Sequence, residues 1–107
     1  MKLTDRYRRR PGLPWREEKD AARDALAALA AGEDAGGEGT LLVVERGRIT
    51  ELNYLGGEIW KLCDGTRDSG AIVEELLTRF EVGRDELERD VGEFLADLVA
   101  RGWLEPA

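Results

Sequence analysis

The apolar positions between residues 40 and 52 follow the pattern of two short β-strands. Residues 40–45 (TLLVVE) form an almost continuous apolar run with two valines, and residues 48–52 (RITEL) alternate polar with apolar side chains. Runs of this length and composition are typical of strands. Because the intervening Arg46-Gly47 pair is a tight-turn signal, we predict that the two strands form a hairpin.

Beyond Asn53 the apolar residues recur every three or four positions, which is the period of one helix face. Asn53 precedes the first stripe and Asp68 or Ser69 precedes the second, and such side chains accept hydrogen bonds from the first N–H groups of a helix. We therefore predict three consecutive helices. Their apolar stripes are Leu52, Leu55, Ile59 and Leu62; Ile72, Val73, Leu76, Leu77 and Phe80; and Leu87, Val91, Phe94, Leu95, Leu98 and Val99.

The N-terminal part of the chain has weaker patterns. Residues 1–12 are basic, contain Pro11 and have no apolar period, which predicts a flexible arm. Residues 13–18 (LPWREE) suit a short edge strand. The alanine-rich residues 19–31 predict a helix, followed by a glycine-rich linker to residue 39.

Together these elements predict an α+β domain over residues 13–107, with the helix and linker at 19–39 as an insertion. A three-stranded antiparallel sheet followed by a compact three-helix cluster is a winged helix-turn-helix-like arrangement. The length of 107 residues fits one such domain.

The charge of the chain weighs against nucleic acid as its main partner. The formal net charge is −7, and the last predicted helix carries six acidic and three basic side chains over residues 84–102. DNA-binding surfaces are basic because they contact phosphates, so this helix would be repelled from a duplex. The sequence therefore favours a protein or peptide partner.

The residues needed for catalysis and metal binding are scarce. The chain has no histidine and a single cysteine, Cys63, which excludes the usual zinc, haem and iron–sulfur ligand sets. It has no visible nucleophile–base pair or phosphate loop, so we expect neither enzymatic activity nor a cofactor. It also shows no secretory signal and no apolar run long enough for a membrane span, and the lone thiol suits a reducing compartment. We therefore expect a cytoplasmic location.

The second strand of the hairpin offers a binding surface instead. If nothing covers residues 48–52, an extended peptide can pair with that edge as a further strand. Backbone pairing alone contributes little, because each net hydrogen bond of roughly 0.5–1.5 kcal/mol offsets a comparable loss of peptide entropy. Burial of two to four apolar peptide side chains would have to supply most of a micromolar affinity.

At this level of detail the chain resembles the family of the pyrroloquinoline quinone synthesis protein D, whose members recognise ribosomally made precursor peptides. The run LNYLGGEIWKLCDG is also similar to the subgroup associated with GeoRSP systems. The matching pieces are Pro14–Glu18, Leu52-Asn53, Glu58-Ile59-Trp60, Leu62–Gly65, Ile72-Val73 with Leu76-Leu77, Asp90-Val91 with Phe94-Leu95, and Gly102-Trp103-Leu104.

The resemblance implies a role as a peptide chaperone. It implies that the leader segment of a precursor peptide adds as a strand and also contacts the last helix, and that a radical SAM enzyme with a SPASM extension modifies the bound peptide. The implied strand contacts are Arg48, Ile49, Thr50, Glu51 and Leu52, and the implied helix contacts are Glu88, Val91, Glu93, Leu95 and Leu98.

Two other interpretations remain open at this stage. One is a winged-helix protein-interaction domain or DNA-binding regulator, with the arginines of residues 6–10 as the contact surface. The other is a homodimer in which two copies pair through the open strand edge.

Overall fold

The computed structural model describes residues 1–33 and 39–107 and has the predicted α+β composition. The contacts of these residues divide the chain into two compact units, which we call the helical unit (Met1–Pro11 with Ile59–Ala107) and the hairpin unit (Gly12–Glu58). The elements are β1 (Arg6–Arg9), β2 (Trp15–Glu17), α1 (Lys19–Ala30), β3 (Leu41–Glu45), β4 (Arg48–Leu52), α2 (Tyr54–Leu62), β5 (Asp64–Asp68), α3 (Ser69–Leu77), α4 (Arg84–Ala100) and β6 (Leu104–Pro106).

The hairpin unit contains a three-stranded antiparallel sheet in the order β2-β3-β4. The predicted hairpin is confirmed, with Glu45 opposite Arg48 and a two-residue loop between them. Both loop residues have positive φ, 51° at Arg46 and 77° at Gly47. Positive φ at both positions is the type I′ geometry, whose twist matches that of the flanking strands, and glycine adopts it at no steric cost.

One face of this sheet is buried. Leu41 lies opposite Leu52 and Val43 opposite Thr50, and the three apolar side chains are at most 7 % exposed. Helix α1 ends one residue before its predicted boundary, and of its predicted apolar face only Ala25 is fully buried. Residues 34–38, which make up most of the predicted glycine-rich linker, lie outside the described residues.

The helical unit contains the predicted helices α3 and α4, but α3 ends at Leu77 and does not reach Phe80 of the predicted stripe. The carboxylate of Asp68 accepts a hydrogen bond of 2.8 Å from the N–H of Ala71, which confirms it as the N-cap of α3. Trp60 and Trp103 pack edge to face with ring centroids 6.3 Å apart. The fully buried apolar side chains of this unit include Ile59, Trp60, Ile72, Val73, Leu76, Leu87, Val91, Leu95 and Leu98.

Part of the predicted flexible arm, residues 6–9, forms a strand, which corrects that prediction. Strand β1 is the central strand of a second sheet, β5-β1-β6, in which Arg6 lies opposite Asp68 and Arg9 opposite Leu104. The segment that follows α2, Asp64–Asp68, forms the strand β5 of this sheet. Pairing between segments so distant in sequence leaves no local apolar period, which is why the pattern suggested a mobile arm.

Arg9 also binds the end of α2. Its guanidinium Nη1 donates to the carbonyls of Trp60 and Lys61, both at 2.9 Å, and its own N–H donates to the carbonyl of Cys63 at 3.1 Å. The last carbonyls of a helix have no partner within the helix, and a cation there also complements the helix dipole. Arg9 therefore joins the N-terminal strand to the main body of the helical unit. None of the helices in the described residues is long and apolar enough to cross a membrane.

Candidate functional site

Strand β4 has the bounds predicted for the peptide-binding strand, and it lies at an edge of its sheet. Among the described residues its only strand neighbour is β3. The other edge of the same sheet is β2, which contains Trp15 and follows Pro14. The five strand residues expected to contact a peptide, Arg48, Ile49, Thr50, Glu51 and Leu52, thus lie together on one edge strand.

The hydrogen bonds of β3 determine which residues of β4 face the free edge. The N–H of Val44 donates to the carbonyl of Pro14 at 2.9 Å, so the backbone of Val44 faces β2. Backbone groups of successive strand residues point to opposite sides. Val43 therefore faces β4, where its cross-strand partner is Thr50. The backbone N–H and C=O groups of Ile49 and Glu51 consequently point away from β3 toward the free edge.

The side chains of β4 differ in exposure in the same alternating way. Leu52 is buried and Thr50 is half-buried, and both share the buried face of the sheet. Ile49 and Glu51 are exposed on the opposite face, which they share with the half-buried Val44 and Leu42 of β3. Ile49 is 64 % exposed, the highest value among the large apolar side chains described.

The position of the Glu51 side chain depends on Gly39. A Cβ atom added at Gly39 would lie 2.8 Å from the Cβ of Glu51 and 2.7 Å from its Oε2. Any larger residue at position 39 would therefore displace the Glu51 side chain. No sequence signal distinguished Gly39 from the other glycines of the linker, so its role was not predicted.

The expected helix contacts lie on α4 within the helical unit and are of two kinds. Val91, Leu95 and Leu98 are at most 2 % exposed and belong to the core of that unit. Glu93 is exposed, and Glu88 is half-buried with a carboxylate oxygen 4.0 Å from the guanidinium of Arg84. The burial of the three apolar residues limits what any ligand can reach, and the role of all five as peptide contacts remains a prediction.

Leu95 is one of the residues that line a cavity of about 400 Å³ in the helical unit. The hydroxyl of Tyr7 lies 3.4 Å from Oδ2 of Asp5 at its wall. Burial and the nearby Asp5 carboxylate raise the pKa of Tyr7, so the phenol stays protonated at neutral pH. The lining residues are Met1, Lys2, Asp5, Tyr7, Gly92, Leu95 and Ala96.

Cys63 is fully buried, and burial raises its pKa to about 12, so it is not a thiolate at neutral pH. No group of three or more His, Cys, Asp or Glu residues that could hold a metal ion occurs within residues 1–33 and 39–107. The most distinctive feature is the free edge of β4.

Within residues 1–33 and 39–107 no strand lies beyond β4, and an α+β fold with such a sheet edge belongs to the class of folds that can pair with an extended peptide. Comparison with known protein families shows to which family the chain belongs. The chain belongs to the coenzyme PQQ synthesis protein D (PqqD) family, whose model matches residues 38–104.

Curated relatives agree with this membership. A PqqA binding protein of Rhodopseudomonas palustris strain TIE-1 is 40 % identical over 60 residues, and that of strain BisB5 is 42 % identical over 60 residues. Each match covers 56 % of this chain and 59 % of the relative, so the chain spans about three fifths of the length of the curated relatives that it matches. No solved structure matches the chain at a significant level.

Proposed function

We propose that this protein is a non-catalytic accessory protein that binds the leader segment of a ribosomally made precursor peptide. The peptide adds antiparallel to β4 (Arg48–Leu52) as a further strand. The observation that carries the proposal is the free edge of β4, where the backbone groups of Ile49 and Glu51 point away from β3. Membership of the PqqD family and relatives named PqqA binding protein support a peptide as the ligand.

The energetics of this mode require side-chain contacts as well as backbone pairing. Pairing along Ile49 and Glu51 gives about four hydrogen bonds, each worth roughly 0.5–1.5 kcal/mol net. Ordering the peptide costs roughly 1–2 kcal/mol per residue, so the bonds alone leave no useful affinity. Burial of three or four apolar peptide side chains, each contributing roughly 1.5–3 kcal/mol, can supply the roughly −8 kcal/mol of a micromolar affinity. The exposed side chain of Ile49 is an apolar surface on the edge strand itself that is available for such a contact.

The partner enzyme in this proposal is a radical SAM enzyme with a SPASM extension, in a system of the GeoRSP kind. Leader binding raises the local concentration of the core peptide at that enzyme, which accelerates the modification without new chemistry in the accessory protein. We also propose that the elements have a winged helix-turn-helix-like arrangement. We propose a cytoplasmic location for the protein, because its single cysteine is a buried free thiol.

Contacts of the N-terminal arginines argue against the alternative of a DNA-binding regulator. Arg9 donates to the carbonyls of Trp60 and Lys61, Arg10 donates to that of Gly102, and Arg8 pairs with Glu105 at 3.0 Å. Arginines that are engaged in this way stabilise a sheet and offer less charge to phosphates.

Titration with leader peptides tests the proposal directly. The leader of each precursor encoded beside this gene is labelled and titrated with the protein, alone and with the neighbouring radical SAM enzyme. We expect a dissociation constant in the micromolar range or below. Absence of binding below about 100 μM in both settings, which is roughly −5.5 kcal/mol, would contradict the proposal.

A further inference from the structure

The outer face of the hairpin unit sheet ends at β4 with two unlike side chains. Ile49 continues a cross-strand row that begins at Pro14 and passes through Val44. Glu51 continues the neighbouring row through Arg16 and Leu42. On the far side of β4 no described strand extends either row. An added strand would therefore place its side chains directly beside these two residues.

Ile49 is unusual for an edge strand. Exposed edges are normally blunted by charged residues, proline or a covering element, because an apolar edge promotes unwanted pairing. Here the most exposed large apolar side chain among the described residues lies on the edge strand itself, one residue from its start. Side chains directly opposite each other on adjacent strands have Cβ atoms about 4.5–5.5 Å apart, so an apolar residue opposite Ile49 would bury part of it.

Glu51 supplies an exposed carboxylate on the outer face of β4. Its side chain lies against Gly39, which has no Cβ to displace it. The nearest cation of its row, Arg16, instead pairs with Glu18 at 2.6 Å. Among the described residues Glu51 therefore remains available to an arriving cation.

We propose that the β4 edge selects peptides in which a basic residue comes two positions before an apolar residue, with Glu51 contacting the first and Ile49 the second. The spacing is two because side chains alternate between the faces of a strand, so only residues two apart share the outer face. The order follows from antiparallel addition, in which the residue opposite Glu51 precedes the residue opposite Ile49. This inference rests on the strand addition proposed above and specifies the peptide that it selects.

Selection from a random dodecapeptide library displayed on phage tests the inference without knowledge of the natural precursor. The full-length protein is immobilised, and selected sequences are compared with those selected by Glu51→Lys. Glu81→Lys is the matched control, because Glu81 is exposed outside the sheets and the change in net charge is the same. We expect basic–x–apolar sequences with wild type and with Glu81→Lys, and acidic–x–apolar sequences with Glu51→Lys.

Affinities of the selected consensus peptide give the second readout. Exchanging its basic residue for glutamate should weaken binding to wild type about tenfold, because an attractive cross-strand pair becomes a repulsive one. The same exchange should strengthen binding to Glu51→Lys. Moving the basic residue next to the apolar one keeps the peptide composition and should weaken binding to wild type about fivefold.

Three results would overturn the inference: no enrichment at spacing two, enrichment of the reverse order, or a pattern that Glu51→Lys leaves unchanged. The outcome is separable from that of the proposed function. Binding of natural leaders without this pattern would contradict only the selectivity, whereas an enriched pattern without leader binding would contradict only the proposed ligand. Circular dichroism and thermal unfolding of Glu51→Lys establish that any change does not arise from loss of the fold.

Discussion

The N–H of Val44 donates to the carbonyl of Pro14 at 2.9 Å, and this bond assigns the two sides of β3. Because backbone groups alternate along a strand, the neighbouring Val43 faces β4 and pairs with Thr50. Ile49 and Glu51 then carry the backbone groups of the free edge. The sequence predicted an edge at residues 48–52 but gave no means of telling which of these residues face outward.

Because Ile49 faces the free edge and Thr50 faces β3, proline substitutions at these two positions should have different effects. Ile49→Pro removes an N–H that points to the free edge, a position that tolerates proline in natural sheets. We expect the variant to fold and to bind leader peptide about tenfold more weakly, because one hydrogen bond is lost and the proline ring obstructs pairing. Fluorescence anisotropy measures the affinity, and Ile49→Ala, which keeps the N–H, isolates the side-chain contribution.

Thr50→Pro should behave differently because Thr50 faces β3. The substitution removes a hydrogen bond within the hairpin and should lower the free energy of unfolding by at least about 1 kcal/mol. Urea unfolding measures this loss. Equal stability of Thr50→Pro and Ile49→Pro would contradict the assignment of the outward-facing residues.

Arg9 should be important for stability although it lies near the N-terminus. Substitution Arg9→Met keeps much of the side-chain volume but removes the bonds to the carbonyls of Trp60 and Lys61. We expect a loss of about 1.5–3 kcal/mol in the free energy of unfolding, the range for hydrogen bonds to a charged group. Arg8→Met, which breaks only the exposed pair with Glu105, should cost at most about 1 kcal/mol. Similar costs for the two variants would contradict the role assigned to Arg9.

The two helix caps predicted from sequence provide a matched pair. The side-chain oxygen of Asn53 accepts from the N–H of Gly56 at 2.8 Å, and that of Asp68 accepts from the N–H of Ala71 at 2.8 Å. Replacing either residue by alanine should lower the free energy of unfolding by about 1 kcal/mol. Replacing each by glycine should cost only a few tenths of that amount, and alanine variants as stable as wild type would contradict the caps.

Stability should fall at alkaline pH because of Cys63. Burial raises its pKa in the folded protein from 9.0 to about 12. Between these values the unfolded chain releases the thiol proton while the folded chain retains it. The contribution of the Cys63 thiol to the free energy of unfolding is therefore complete below about pH 9. It declines by up to about 1.4 kcal/mol per pH unit as the pH rises toward 12. Tyr7, whose pKa is also raised, acts in the same direction at higher pH.

Urea unfolding of wild type and Cys63→Ala across this range measures the effect. Because the alanine variant also leaves a small cavity, the comparison concerns the slope of stability against pH and not the absolute value. The wild type should have the steeper decline above pH 9. Parallel pH profiles for the two proteins would show that Cys63 does not titrate as its burial implies.

Elements with a local signature were predicted well from the sequence. The hairpin and the helices α2, α3 and α4 follow from apolar period, turn residues and N-caps such as Asn53 and Asp68. Strand β1 was missed, because its partners β5 and β6 are far away in sequence and its arginines have no apolar alternation. Strand β5 (DGTRD) likewise has few strand-favouring residues and becomes a strand through pairing with β1.

The candidate site was predictable only in part, for similar reasons. The bounds of β4 follow from the local pattern of residues 48–52, and the family resemblance supplied the peptide as a ligand. The exposure of Ile49 was not predictable, because alternation alone would place an apolar side chain on the buried face of the sheet. The close approach of Gly39 to Glu51 is a contact across a linker, which no period in the sequence encodes. The burial of Val91, Leu95 and Leu98 follows from packing within the helical unit, which an amphipathic stripe alone does not distinguish from a ligand-binding face.

Amide hydrogen exchange of β4, measured by NMR with and without a saturating leader peptide, tests strand addition most directly. Arg48 and Thr50 face β3 and serve as internal controls because their amides are bonded in both states. If the peptide adds as a strand, the amides of Ile49 and Glu51 should exchange at least about tenfold more slowly with peptide bound, because new hydrogen bonds protect them. Binding of the peptide with no change in exchange at Ile49 and Glu51 would contradict strand addition.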